Sequence, residues 1–188
     1  MVLIGKRFPS LELKAIDHNG IEFKMDVMDE VRRGKKVILF WYPKNFTSVC
    51  PTELISLQEK LEDFQSRGCS VVAASCDTCE SHRAWMKIPK DQGGIQGVTY
   101  PIISDVKREL SSILGILDDD DNVSYRATYL IDEKGIVFHE SVNDMSTGRN
   151  VCDFLRLIDA KTHTQQTGNL CPANWVIQKT EEIEYYGK

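Results

Sequence analysis

Val37-Ile38-Leu39-Phe40-Trp41-Tyr42-Pro43-Lys44-Asn45-Phe46-Thr47-Ser48-Val49-Cys50-Pro51-Thr52-Glu53 decides how the rest of the chain reads. Residues 37–41 form an unbroken apolar run of strand length. Leu54, Leu57, Leu61 and Phe64 then recur at helical spacing. Cys50 therefore stands where a buried strand gives way to a helix. Pro51 suits a first helical turn, where its missing N–H has no role to lose. The N–H groups that open a helix lack internal partners and carry partial positive charge. A thiol placed there is biased toward thiolate, the nucleophilic form.

The flanking sequence extends this unit. Gly68 is suited to end the helix, and Ser70–Ser75 reads as a second buried strand, so residues 37–75 predict a βαβ unit with parallel strands. Upstream, two partly alternating segments, 11–15 and 21–25, flank Asp17-His18-Asn19-Gly20, a hairpin signal. Downstream, the pattern predicts a helix over 79–88 and a flexible glycine-rich loop over 92–97. A short strand follows at 101–104, then a helix capped by Asp105 and closed by Gly115. Residues 126–131 and 136–139 flank the turn 132–135 as a β-hairpin, and Val151, Phe154, Leu155 and Ile158 mark a last core helix near 149–160. This order gives an α/β fold of thioredoxin-like type, a central mixed sheet flanked by helices. It divides into a domain over 1–160 and a C-terminal arm over 161–188, where polar sequence surrounds Leu170-Cys171-Pro172-Ala173-Asn174-Trp175.

Length and composition set bounds. The 188 residues are enough for one domain with a substantial core. The formal net charge of −5, without a long Lys/Arg block, argues against a nucleic-acid surface. No apolar run is long enough to span a bilayer, and Lys6-Arg7 interrupt the apolar start, so a cytoplasmic protein is expected. With a core of this size the six cysteines are not needed as staples, which favours a reducing compartment and a few active thiols.

Pro43-x-x-x-Thr47-x-x-Cys50, extended to Phe46-Thr47-x-Val49-Cys50-Pro51-Thr52-Glu53, resembles the active-site signature of the peroxiredoxins, typical 2-Cys (AhpC/TSA-like) members. Trp85, Gln92-Gly93-Gly94, Ser104-Asp105, Arg126, 130–136, Gly148-Arg149 and Cys171-Pro172-Ala173 follow in matching order over nearly the whole chain. The resemblance implies a thiol peroxidase acting on hydrogen peroxide and alkyl hydroperoxides. By it, Cys50 is the peroxidatic and Cys171 the resolving cysteine, joined in an intersubunit disulfide and recycled by a thioredoxin-type reductant. It implies no cofactor or metal, and a homodimer that can build a decameric ring. The chemistry suits the residue types. Thr47 can exchange hydrogen bonds with peroxide oxygens, and Arg126 can favour thiolate and stabilise charge on the leaving oxygen. Pro43 can shield the thiolate, Glu53 can hold an arginine by a bidentate pair, and Arg149 adds a second cation.

The same residues admit other readings. A disulfide reductase would want Cys-x-x-Cys at the helix start, where this chain has Cys50-Pro51-Thr52-Glu53. Cys76-Asp77-Thr78-Cys79 is such a motif, with His82 beyond it. It reads as a strand end and helix start carrying two thiols rather than half a zinc site. Cys69 and Cys152 read as packing residues, and Asp118–Asp121 as a solvated turn. A holdase chaperone role is the non-enzymatic alternative. Gly93-Gly94-Ile95-Gln96-Gly97 and Tyr185-Tyr186 depart from the Gly-Gly-Leu-Gly and Tyr-Phe of oxidation-sensitive members, which predicts partial sensitivity to a second peroxide.

Overall fold

The structure, a computed structural model, describes residues 2–177. Tyr185-Tyr186 lie outside the described residues. The elements follow the order β1 (Leu13–Ile16), β2 (Glu22–Met25), α1 (Val27–Arg32), β3 (Lys36–Trp41), α2 (Cys50–Glu59), α3 (Leu61–Ser66) and β4 (Cys69–Ser75). Then come α4 (Cys79–Trp85), β5 (Ile102–Ser104), α5 (Glu109–Leu114), β6 (Arg126–Ile131), β7 (Val137–Asn143) and α6 (Val151–Thr167). The strands form a seven-stranded sheet, β2-β1-β5-β4-β3-β6-β7.

β3 and β4 run parallel, joined by α2 and α3 as a βαβ crossover. β6 lies antiparallel to β3, with Phe40 opposite Thr128. The carboxyl end of β3 and the amino end of β6 therefore share one edge of the sheet. β3 faces helices on both sides, which explains its unbroken apolar run. Ile38 and Phe40 pack toward α2 and α6, while Val37, Leu39 and Trp41 pack toward α1 and α5.

Several details differ from the sequence reading. The helix expected to run from Cys50 to Gly68 breaks at Lys60, whose φ of −104° and ψ of 9° leave the helical region, and resumes as α3. Phe64 in the second segment is fully buried with the strand core. α1 was not anticipated; Asp26 caps it by accepting from Met28 N at 2.9 Å. The helix expected at Asp105 begins at Glu109, although the Asp105 carboxylate still accepts from Glu109 N at 2.9 Å and Ser111 N at 2.8 Å. The glycine-rich loop is packed rather than loose. Trp85 Nε1 donates to Gly93 O at 2.9 Å, Ile95 is fully buried, and a Cβ on Gly94 would lie 2.0 Å from Ile88 O. The last helix continues past residue 160 to Thr167, where Gly168 at φ 73° ends it. Among the described residues no helix is long and apolar enough to cross a membrane.

Candidate active site

The loop between β3 and α2 carries Pro43, Thr47 and Cys50. Pro43 is buried at the strand exit. Phe46 takes φ 57°, unusual for an aromatic residue, while its ring lies 6.0 Å from that of Trp85. The Thr47 hydroxyl donates to Lys44 O at 3.0 Å, which folds the loop back on itself. Cys50 opens α2, with Pro51 beside it in the first turn, and is fully buried.

One charged side chain meets the sulfur, and two more pair with it or with each other behind it. Arg126, the first residue of β6, reaches the shared sheet edge and donates through Nη1 to Cys50 Sγ at 3.3 Å and to Glu53 Oε2 at 2.8 Å. Its other edge is fixed, because Nε and Nη2 donate to Met145 O at 2.8 and 2.6 Å. Glu53, one turn after Cys50, also receives Arg149 through Nε at 2.9 Å and Nη2 at 3.0 Å, a bidentate pair. The Arg126, Arg149 and Glu53 side chains are only 2–4% exposed. Charges removed from water this completely are tolerated only when paired.

Burial pulls the Arg149 guanidinium below its ordinary value, and the Glu53 carboxylate opposes that shift. The guanidinium remains a cation at any physiological pH. Its Nη1 donates to Ala127 O at 2.9 Å and Thr128 Oγ1 at 3.0 Å, and its plane lies 3.3 Å over the Phe40 ring. Gly148 sits tight against α2, where an added Cβ would come within 3.3 Å of Val49 Cγ1.

Met145, Thr128 and Phe40 are thus parts of the site that the sequence reading missed. Thr128 had a signal, since it lies two residues after Arg126 and so on the same face of a strand. The Met145 carbonyl had none, because a backbone acceptor in a loop leaves no trace in residue type. A second network braces the loop from behind. Tyr42 Oη donates to Asn45 Oδ1 at 2.8 Å, and His82 Nδ1 lies 3.2 Å from Tyr42 Oη and 3.0 Å from Asn45 Nδ2.

The structure brings Cys50, Glu53, Arg126 and Arg149 together and leaves Cys171 elsewhere. Cys171 is a partly buried free thiol on the segment after α6, its Sγ 3.7 Å from Ala160 O. The Cys-x-x-Cys thiols turn to different neighbours, Cys76 to Ser111 Oγ at 3.8 Å and Cys79 toward Ser104. Burial pushes both thiols up, and Cys69 up to about 12, which favours their protonated form. Cys152, expected to be a packing residue, is exposed in the first turn of α6. Among the described residues no group of three or more His, Cys, Asp or Glu could hold a metal ion.

A buried cysteine at a helix start thus meets an arginine that a glutamate shares with a second arginine. Residues 4–140 match the model of the AhpC/TSA family. The chain belongs to this family. Among its relatives are a peroxiredoxin of Cynops pyrrhogaster, 40% identical over 92% of this chain and 85% of that one, and a thioredoxin peroxidase of Echinococcus granulosus, 39% identical over 92% and 88%. The solved reduced 2-Cys peroxiredoxin of Plasmodium vivax superposes with a TM-score of 0.89 at 37% identity, covering 94% of this chain and 90% of that one. The mixed seven-stranded sheet with flanking helices is the thioredoxin-like fold of such peroxiredoxins. The protein is accordingly a peroxiredoxin, an oxidoreductase that reduces peroxides through a thiol.

Proposed function

We propose that this peroxiredoxin reduces hydrogen peroxide and alkyl hydroperoxides through Cys50, and that Cys171 of a second chain resolves the product. The observation that carries this reading is the 3.3 Å approach of Arg126 Nη1 to Cys50 Sγ inside a buried cluster. With Cys50 as thiolate, two anions balance two guanidiniums; as neutral thiol, it leaves one buried cation uncompensated. The thiolate attacks one peroxide oxygen and the O–O bond breaks. The departing oxygen takes a proton and leaves as water or alcohol, and Cys50 becomes a sulfenic acid. Arg126 is placed to stabilise charge on the departing oxygen, and Thr47 to orient the peroxide.

Resolution follows by condensation. The Cys171 thiol attacks the sulfenic sulfur, a disulfide forms and water leaves. A thioredoxin-type dithiol then restores both thiols by exchange. Chain geometry supports pairing between two subunits. α6 spans about 24 Å from Val151 to Thr167 at ~1.5 Å per residue. The four residues 168–171 reach back at most about 14 Å. Cys50 lies at the far end of that helix, where Arg149 N donates to Glu53 Oε1 at 2.9 Å. A disulfide needs Cα atoms about 4.4–6.8 Å apart, so a fully buried Cys50 must also leave its helical turn before any partner can reach it. We extend the proposal to a cytoplasmic homodimer, able to form a ring, that serves antioxidant defence and redox homeostasis.

Non-reducing electrophoresis after one equivalent of peroxide tests the pairing. The reading expects a dimer band that is lost in Cys50→Ser and in Cys171→Ser, and restored when the two variants are mixed. A monomeric oxidised product, or a dimer band that survives either substitution, would refute it.

A further inference from the structure

Arg126 meets Cys50 through one nitrogen, so whatever aims its guanidinium acts on the sulfur. The group is planar, and its N–H donors point in fixed relative directions. Holding one edge therefore sets the rest. Met145 O holds that edge by accepting from Nε at 2.8 Å and Nη2 at 2.6 Å, which turns Nη1 to Cys50 Sγ at 3.3 Å. Glu53 pulls on the same cation, since its Oε2 already accepts from Nη1 at 2.8 Å. A carboxylate favours two parallel donors from one guanidinium. Released from Met145 O, Arg126 would be drawn further onto Glu53 and away from the sulfur.

The turn that carries Met145 decides where its carbonyl points. Asn143, the last residue of β7, lies opposite Arg126 in the sheet register. The chain then leaves the strand and comes back over the guanidinium within two residues. Asp144 closes this turn. Its Oδ1 accepts from Ser146 N at 2.8 Å and from the Ser146 hydroxyl, and its carbonyl accepts from Thr147 N at 3.1 Å. These bonds clamp Met145 from both sides. The Ser146 hydroxyl and N–H hold the Asp144 carboxyl below its usual range, and the charge of Arg126 adds to this, so the group is an acceptor at any physiological pH. Asp144 is exposed, and its carboxylate bonds to Ser146 rather than to Arg126.

We infer that Asp144 is a positioning residue for peroxide reduction: by closing the turn 144–147 it keeps Met145 O on Arg126, and so keeps Nη1 on the Cys50 sulfur. The inference rests on the reading that Arg126 assists the attack by Cys50. Every contact in it lies within one chain, so it holds whatever packs against β7 in an assembly.

Stopped-flow rates of hydrogen peroxide consumption test it in full-length Cys171→Ser protein, with Asp144→Ala and Asp144→Asn, each made alone and together with Arg126→Met. Asp144→Ala removes the acceptor and should slow the reaction about tenfold, less than Arg126→Met, because Glu53 still holds the guanidinium near the site. Asp144→Asn keeps Oδ1 as an acceptor for Ser146 and should bring the rate back to within about twofold of the parent. In the Arg126→Met background neither substitution should slow the reaction further, a result that a merely structural role would not give. Asp144→Ala at the parent rate, Asp144→Asn as slow as Asp144→Ala, or the same loss with and without Arg126 would overturn the inference while leaving Arg126 its role. Arg126→Met at the parent rate would instead remove the reading beneath it, and the inference would fall with that reading.

Discussion

Replacing Arg126 by Met removes the only side chain that donates to the Cys50 sulfur among the described residues, while retaining an unbranched apolar stem. Arg126 makes four hydrogen bonds, one to Cys50, one to Glu53 and two to Met145 O. The loss separates into two effects of different size. Glu53 keeps its bidentate pair with Arg149, so the fold loses chiefly the satisfaction of one part-buried carbonyl, about 1–3 kcal/mol. The reaction loses a charged donor aimed at the reacting atoms, which costs about 100- to 1,000-fold in rate. Stopped-flow measurement of peroxide consumption by reduced protein, in a Cys171→Ser background, isolates the first step. Urea denaturation measures the stability of the same variant. A folded Arg126→Met protein that reacts with peroxide within threefold of the parent rate would refute the role given to this contact.

Glu53→Gln makes the opposite trade. It leaves two buried guanidiniums without their carboxylate, and unfolding by urea should register a loss of about 3–5 kcal/mol; a loss below about 1 kcal/mol would mean that the cluster is solvated. Burial holds His82 neutral, its value lowered from 6.5 to about 4 against the opposing charge of Asp77. Because the folded state binds the proton less well than the unfolded state, this stabilisation is complete above pH 6.5 and is lost as pH falls toward 4, by about 3 kcal/mol. The stability–pH curve of His82→Gln should be flatter across that window, and a curve parallel to the parent would contradict the assignment. Gly94→Ala places a methyl group against the Ile88 carbonyl and should cost about 1–3 kcal/mol, read as a lowered melting temperature.

Much of this architecture was legible because apolar periodicity reports burial. The continuous run at 37–41 predicted a buried strand, and β3 is buried on both faces. The break at Lys60 was not legible, since Leu57, Leu61 and Phe64 keep helical spacing across it. The glycines at 93, 94 and 97 suggested mobility, yet Gly94 is there to let two backbone segments touch. Residue type and order pointed to Cys50, Glu53, Arg126 and Arg149, and the antiparallel register of β3 and β6 explains why residues so distant in sequence meet. The carbonyl that aims Arg126, the ring beneath Arg149 and the Tyr42–Asn45–His82 brace depend on three-dimensional packing, which no local pattern encodes. Sequence set Cys50 apart and read Cys69 as a packing residue, but it misplaced Cys152, which is exposed. Burial among apolar neighbours quiets Cys69, while an arginine meets Cys50 at equal depth.

The most direct test exposes reduced Cys171→Ser protein to one equivalent of hydrogen peroxide, traps sulfenic acid with a 1,3-diketone and maps the adduct by peptide mass. The account predicts the adduct on Cys50 alone, formed within seconds. An unmodified Cys50 beside a labelled Cys69, Cys76, Cys79 or Cys152 would contradict it.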